Sequence, residues 1–169
     1  MRIKNPIRRE VILLDKKKRK FNPDVCHEIV IVDAFNVAFR DRRIREQNGH
    51  LTEALHSLGE RIISSSAYGD FLVEIAADSS NVTETERKKH GSFFLVFCPN
   101  GGSRTGADGY LLDALKRARY FKNMVLVTDD SEARMNILRF INKKRLSNCT
   151  LLSVREFFDE INGRNKQLD

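Results

Sequence analysis

The chain has 169 residues, of which 41% are hydrophobic, and this is enough for one domain with a substantial core. No apolar run approaches the ~20 residues that cross a bilayer, and the basic first segment lacks the apolar stretch of a signal peptide, so we expect a cytoplasmic location. The three cysteines form no CxxC pair, which favours free thiols over a disulfide framework or a zinc site. The formal net charge of +7 favours a polyanionic partner, chiefly nucleic acid.

Residues 1–27 are predicted to form a basic arm, or an extra edge strand at the short apolar run Val11–Leu14. The unbroken basic run Lys16–Lys20 fits a solvated arm, a phosphate-contacting arm or, in a eukaryotic cell, a nuclear localisation signal. The compact domain is predicted over residues 28–162, with a polar tail at residues 163–169.

The rest of the chain alternates between strand and helix patterns. The first strand, residues 28–33, contains four consecutive apolar residues, which is typical of a strand buried on both faces of a parallel sheet. Further strands are predicted at residues 71–78, 92–98, 124–128 and 149–154, and helices at residues 51–62, 106–120, 133–141 and 157–161. Ser79–His90 is polar and is predicted to be a loop or a short exposed helix. This alternation predicts a three-layer α/β/α fold with a mostly parallel central sheet.

Aspartates stand where three of these strands end. Asp33 ends the first strand, Asp130 follows the fourth, and Asp108 opens the helix after the third. With right-handed crossovers, all three emerge on one edge of the sheet. Three converging carboxylates repel one another unless a cation neutralises them, and oxygen ligands suit Mg²⁺ or Mn²⁺. Such an ion holds a phosphate oxygen and generates hydroxide, so the pattern predicts phosphodiester hydrolysis.

Each aspartate also has a structural interpretation. Aspartate suits turns, and Asp108 would be favourable at a helix N-terminus for electrostatic reasons alone. Asp129 either shares the metal with Asp130 or caps the following helix. Asp78 is either an outer ligand or a turn residue, and Asp113 is predicted to lie on the surface.

A group of basic residues is predicted to hold the nucleic-acid backbone. Any one of them would by itself be a solvated side chain, but together they would line a track of phosphate contacts that weakens with salt. The group comprises Arg40, Arg42, Arg43, Arg104, Lys143, Lys144 and Arg145, with Arg45 and Arg117 as further members.

Three segments in this order carry a family resemblance: VIVDAFNVAF, FLVFCPNGGSRTGADGYLLDALKRA and MVLVTDDSEARM. They resemble the metal-dependent ribonucleases of the PIN-like superfamily, in its NYN branch, over about residues 28 to 160. The resemblance implies that Asp33, Asp108 and Asp130 are metal-binding catalytic acids and that Asn36 is a polar residue near the scissile phosphate. It also implies RNA cleavage with Mg²⁺ or Mn²⁺ that leaves a 5′-phosphate.

The sequence departs from the family pattern at three positions. Ala34 stands where the family often has glycine, Gly109 replaces the second of two adjacent acids, and Asp129 takes a small polar position. The leading hypothesis is a single-domain ribonuclease that acts on single-stranded RNA or structured loops. The alternative is a catalytically weak or inactive RNA-binding module or ribonucleoprotein component. A DNA-directed nuclease also stays open, since nothing in the sequence reads a 2′-hydroxyl. A homodimer stays open as well.

Overall fold

The computed structural model of the chain describes residues 27–40, 51–100 and 106–163, so the predicted basic arm and polar tail lie almost wholly outside it. Its strands are β1 (His27–Asp33), β2 (Leu72–Ser79), β3 (Glu86–His90), β4 (Phe93–Pro99), β5 (Phe121–Val127) and β6 (Cys149–Leu152). Its helices are α1 (Ala34–Arg40), α2 (Leu51–Ser64), α3 (Ala107–Ala114), α4 (Ser131–Lys144) and α5 (Val154–Ile161), and a 3₁₀ helix (Leu115–Tyr120) joins α3 to β5. None of the helices in these ranges is long and apolar enough to span a membrane.

The six strands form one sheet in the order β3-β4-β2-β1-β5-β6. All neighbouring pairs are parallel except β3 and β4, which confirms the predicted α/β fold with a mostly parallel sheet. The chain first builds outward from β1 through β2 and β4, and then returns to add β5 and β6 on the other side of β1. Such a reversal of strand order opens a crevice at the carboxyl ends of the strands beside it.

Helices cover both faces of the sheet because β1 and its neighbours are apolar on both faces. The side chains of Ile29–Val32 are all fully buried. Val30 and Val32 belong to a core formed with α1, α2 and α5, whereas Ile29 and Ile31 belong to a second core formed with α3, the 3₁₀ helix and α4. The two cores fix the sheet from both sides, so the positions of its carboxyl ends are rigidly set.

The prediction of a loop or short exposed helix at Ser79–His90 is wrong for its last five residues. Glu86–His90 forms β3, which is antiparallel to β4. This strand has no apolar residue and therefore gives no sequence signal. The guanidinium of Arg87 lies 3.6 Å from the ring centroid of Phe94, and Nζ of Lys88 lies 5.5 Å from that of Phe97. Long charged side chains thus cover the apolar edge of β4 and leave a charged, protected sheet edge.

Three smaller differences concern helix boundaries and faces. The predicted helix over residues 106–120 is α-helical only to Ala114 and continues as the 3₁₀ helix. Val154, predicted in the last strand, instead begins α5, because Ser153 and Glu156 form a capping box there. Leu138, predicted on the buried stripe of α4, is 45% exposed.

Candidate active site

Asp33 lies at the end of β1 and is 4% exposed. Its Oδ2 accepts hydrogen bonds from Nδ2 of Asn36 at 2.5 Å and from Oγ1 of Thr128 at 3.2 Å. Burial raises the pKa of Asp33, and these hydrogen bonds oppose the rise because they favour the charged carboxylate. Asn36, in the first turn of α1, therefore orients the carboxylate of Asp33.

The turn after β5 connects Asp33 to Asp130. Thr128 is fully buried, and its Oγ1 also accepts a hydrogen bond from the backbone N of Asp130 at 3.2 Å. Asp130 is the N-cap of α4, since its Oδ1 accepts a hydrogen bond from the backbone N of Ala133 at 2.8 Å. Nη1 of Arg134 donates to the carbonyl oxygen of Thr128 at 2.8 Å, so α4 holds this turn in place.

Asp78, at the end of β2, positions the start of α3. Its Oδ1 accepts a hydrogen bond from the backbone N of Ala107 at 2.7 Å, and Asp108 follows in the first turn of the helix. The preceding residue is Gly106, and a Cβ there would lie only 2.5 Å from Oδ1 of Asp78. The close approach of α3 to Asp78 therefore requires glycine at this position.

The four carboxylates at this edge interact electrostatically. The pKa of Asp108 is raised to about 7, first by burial and then by the nearby charges of Asp33 and Asp130 and a hydrogen bond with Asp33. The charge of Asp78 adds to the raised pKa of both Asp33 and Asp108. The edge thus carries more negative charge than it can stabilise without a cation.

The donor chemistry of these residues fits a hard divalent cation, because every candidate ligand is a carboxylate oxygen. Their mutual repulsion fits it as well, since a cation would offset the like charges that raise the pKa of Asp108. Within residues 27–40, 51–100 and 106–163, however, no three His, Cys, Asp or Glu side chains are arranged as a ready metal site. The fit therefore rests on donor chemistry and repulsion, and ligation needs some rotation of these side chains.

The other candidate acids contact groups outside this cluster. Oδ1 of Asp129 accepts a hydrogen bond from the backbone N of Val154 at 2.9 Å, so this side chain points to the start of α5. Asp113 is exposed, as predicted, and its carboxylate pairs with Lys116 at 2.8 Å. Gly109 is buried within α3 and leaves no acid next to Asp108.

The predicted basic track is only partly described. Arg42, Arg43, Arg45 and Arg104 lie outside the described residues, as does the side chain of Arg40. Lys143 and Lys144 lie in the last turn of α4 and Arg145 follows them, whereas Asp130 caps the other end of this helix. Arg117 is engaged by the buried carboxylate of Glu74, at 3.3 Å.

Two residues of the site carry weak sequence signals. Thr128 ends a strand that runs into two aspartates, and a lone threonine there carries no pattern of its own. Asp78 ends an apolar strand, where a turn residue and a ligand have the same sequence pattern. Only the register of β1, β2 and β5 brings these two side chains together around Asp33, because Asp33 pairs with Ala76 and Val32 pairs with Val127.

The six-stranded, mostly parallel sheet with helices on both faces is consistent with the predicted PIN/NYN-like α/β fold. A scan of protein-family models and a search of curated proteins each found no match. Among solved structures, the chain is similar to Rae1 (YacP) from Bacillus subtilis, determined for a single-substitution variant. The TM-score is 0.55 and the identity 17%, over 80% of this chain and 74% of that chain. At this identity the similarity shows the fold.

Proposed function

We propose that this protein is a metal-dependent ribonuclease that hydrolyses RNA phosphodiester bonds at the carboxyl edge of its sheet. The observation that carries the proposal is the convergence of Asp33, Asp108 and Asp130 at the point where the strand order reverses. The net charge of +7 supports a polyanionic substrate. The similarity to Rae1 (YacP) supports a nuclease-type hydrolase at the level of the fold.

The residues of the site supply orientation and charge. Asp33 is the central acid, since Asn36 and Thr128 hold its carboxylate before any substrate arrives. Asp108 and Asp130 complete the set of oxygen ligands. Mg²⁺ or Mn²⁺, when bound, would supply a hydroxide nucleophile and neutralise charge on the phosphate. The side chain of Asn36 stands beside Asp33, where it can contact the scissile phosphate, and the product expected from the family resemblance carries a 5′-phosphate.

Asp78 is proposed as the fourth acid of the site. The family pattern has a second acid after Asp108, and here that position is Gly109. Asp78 brings a carboxylate to the same cluster from the end of β2, and its charge reaches both Asp33 and Asp108. Asp78 thus compensates in part for the acid missing from α3.

The proposal is tested by cleavage of a labelled single-stranded RNA with Mn²⁺, with Mg²⁺ and with EDTA. The wild-type protein is compared with Asp130→Asn, because asparagine caps a helix as well as aspartate does and α4 is preserved. We expect metal-dependent cleavage that falls more than about a hundredfold in the variant. Loss of a group that only hydrogen-bonds to a metal ligand typically reduces activity 10–100-fold, and loss of a ligand itself should reduce it more. A DNA strand of the same sequence, assayed in parallel, reports whether the activity is directed to RNA.

The matched control is Asp113→Asn, which removes an exposed acid from α3 without touching the site. Equal cleavage by this variant and the wild type would assign the loss in Asp130→Asn to the site. Cleavage that EDTA leaves unchanged would contradict the proposed metal chemistry.

A second candidate function, an RNA-binding module without activity, is favoured by the glycine at position 109 and by the lack of a ready metal site in the described residues. This candidate predicts RNA binding without cleavage, unchanged by Asp130→Asn. The same assay therefore separates the two functions.

A further inference from the structure

A basic surface that includes Lys143, Lys144 and Arg145 of the predicted track lies at the opposite edge of the sheet from the acids. It consists of exposed side chains from two segments, the 3₁₀ helix with the start of β5 and the end of α4. We name it the amino-edge surface, and its residues are Arg119, Lys122, Lys143, Lys144 and Arg145. The turn that follows α4 is joined to the first segment, because Nδ2 of Asn148 donates to the carbonyl oxygens of Ala118 at 2.9 Å and Phe121 at 3.0 Å.

This surface is basic because its segments contain no acid. No Asp or Glu occurs within residues 114–128 or within residues 133–155. Of the neighbouring acids, Asp113 pairs with Lys116 at 2.8 Å, and Glu28 accepts a hydrogen bond from Nδ2 of Asn123 at 2.6 Å. Within residues 27–40, 51–100 and 106–163, none of the five cations of the amino-edge surface forms an ion pair.

Arg145 adds an observation that helix electrostatics does not explain. Lys143 and Lys144 are favourable at the C-terminus of α4 for electrostatic reasons alone. Arg145, however, has a φ of 53° in the left-handed region, where glycine is the usual residue. The backbone at this position favours glycine, so the helix C-cap itself does not require the exposed guanidinium that stands there.

Tyr120 gives the surface an aromatic component. Its ring is 39% exposed, its hydroxyl accepts a hydrogen bond from Nη2 of Arg119 at 2.6 Å, and the guanidinium lies 4.8 Å from the ring centroid. An exposed aromatic ring paired with arginine is a common feature of surfaces that bind single-stranded or unpaired nucleotides.

We propose that the amino-edge surface binds the phosphate backbone of RNA remote from the cleavage site. This inference rests on the proposed function and adds a second contact to it. The 14 residues of α4 separate Asp130 from Arg145, which is roughly 20 Å at 1.5 Å per residue. At about 3.4 Å along a strand for each stacked nucleotide, this distance places the surface about six nucleotides from the acids. A short RNA therefore reaches the acids alone, and a longer folded RNA reaches both.

The test compares three triple variants in their binding to a labelled stem-loop RNA of about 30 nucleotides, in EDTA and across a salt series. The first variant, Arg119→Gln, Lys143→Gln and Arg145→Gly, removes three charges from the surface and relaxes the left-handed residue. The second, Arg119→Lys, Lys143→Arg and Arg145→Lys, keeps the charges. The third removes three exposed charges elsewhere, through Lys88→Gln, Lys89→Gln and Arg155→Gln.

We expect the first variant to bind the stem-loop at least tenfold more weakly and to have a salt slope smaller by about 2 to 3. The second and third variants should bind nearly as well as the wild type. The single variant Arg145→Gly should melt no lower than the wild type. This result would show that the Arg145→Gly change in the first variant weakens binding without weakening the fold.

Equal weakening in the first and third variants would reduce the effect to net charge and overturn the proposal. Unchanged binding by the first variant would also overturn it. Cleavage of an RNA of about five nucleotides is measured separately and should be the same in all three variants. If the wild-type protein cleaves neither RNA, the proposed function fails, while the binding measured in EDTA still decides the role of the surface.

Discussion

Asp108 is where the repulsion among the carboxylates is greatest. Its pKa is raised to about 7 by burial and by the charges of Asp33 and Asp130. In the metal-free protein at neutral pH, the charged form of Asp108 is therefore less stable in the fold than in the unfolded chain.

Replacement of Asp108 by Asn should stabilise the metal-free protein by about 1 kcal/mol, a modest value because the side chain is partly exposed and screened. The wild type should gain roughly 2.7 kcal/mol from Mn²⁺ at a hundred times its Kd, and the variant should gain much less. Thermal unfolding with and without Mn²⁺ measures both effects. Asp113→Asn is the control, and a variant that melts lower without metal yet gains fully from Mn²⁺ would contradict a shared site.

At this scale the sequence predicts which acids meet, but not how they are held. Asp33, Asp108 and Asp130 could be placed on one edge because each follows a recognisable strand or opens a helix. The bonds from Thr128 to Asp33 and from Asp78 to Ala107 join residues far apart in the chain. Such bonds depend on strand register, which no local pattern in this sequence specifies.

Asp129 is an example of an acid whose role is decided by a helix. Its Oδ1 accepts from the backbone N of Val154, the first residue of α5, and so joins the end of β5 to that helix. A metal ligand at this position would need the same carboxylate to turn toward Asp130.

The two roles of Asp129 predict different outcomes for two substitutions. Asp129→Asn keeps an oxygen for Val154 and should retain both stability and RNA cleavage. Asp129→Ala leaves the N–H of Val154 without this acceptor and should lower the free energy of unfolding by about 1 kcal/mol. Urea unfolding and the cleavage assay measure the two properties. Loss of cleavage in the stable Asn variant would instead make Asp129 a ligand.

Gly106 fixes the distance between α3 and β2. Gly106→Ala would bring a Cβ to 2.5 Å from Oδ1 of Asp78, so the helix or the carboxylate must move. We expect RNA cleavage to fall roughly tenfold or more, because a misplacement of about 1 Å can slow an enzyme by 10²-fold. Gly91→Ala, at an open turn with a φ of 57°, is the control, since its strain should lower stability while leaving the rate of the folded enzyme unchanged. Full activity of Gly106→Ala would mean that Asp78 and α3 tolerate displacement.

At the scale of elements, apolar periodicity predicts the buried strands and fails for β3. The segment Glu86–His90 becomes a strand only because β4 offers a free edge and aromatic rings for its long side chains. Tertiary pairing of this kind overrides local propensity. The middle of α4 shows the same limit, since Leu138 has the right spacing for burial but is 45% exposed to solvent among the described residues.

At the scale of the molecule, and within the described residues, the acidic cluster and the amino-edge surface lie at opposite edges of one sheet. The acids gather where the parallel strands end, and the amino-edge surface gathers where β5 and β6 begin. Net charge alone predicts a polyanionic partner but not this separation. The separation follows from the parallel topology, in which each helix returns the chain from one edge to the other.

Between these edges, one buried charge network ties β2 to both of its flanks. Glu74 is fully buried in β2, and its carboxylate contacts Arg87 of β3 at 2.9 Å and Arg117 of the 3₁₀ helix at 3.3 Å. It also accepts a hydrogen bond from the hydroxyl of Tyr110 at 2.6 Å. Burial by itself would raise the pKa of Glu74, but the two guanidiniums and the hydroxyl outweigh it and lower the pKa below its usual value.

The sign of this shift sets how stability depends on pH. A carboxyl with a lowered pKa stabilises the fold above its unfolded value of about 4.3 and loses that contribution as the pH falls through the folded pKa. Glu74→Gln leaves two guanidiniums without their counter-charge and should lower the free energy of unfolding at pH 7 by about 3 kcal/mol. The difference between wild type and variant should shrink below about pH 4 as the wild-type carboxyl becomes protonated.

Urea unfolding at pH 7 and at successively lower pH measures this difference directly. Glu86→Gln is the matched control, since this exposed glutamate of β3 pairs with Lys88 at 3.6 Å, and exposed pairs contribute at most about 1 kcal/mol. A Glu74 effect that stays constant down to low pH would mean that the side chain contributes through packing alone. A decline with acid would show that its charge holds the edge strand and the 3₁₀ helix against β2, and with them the spacing between the acidic edge and the amino-edge surface.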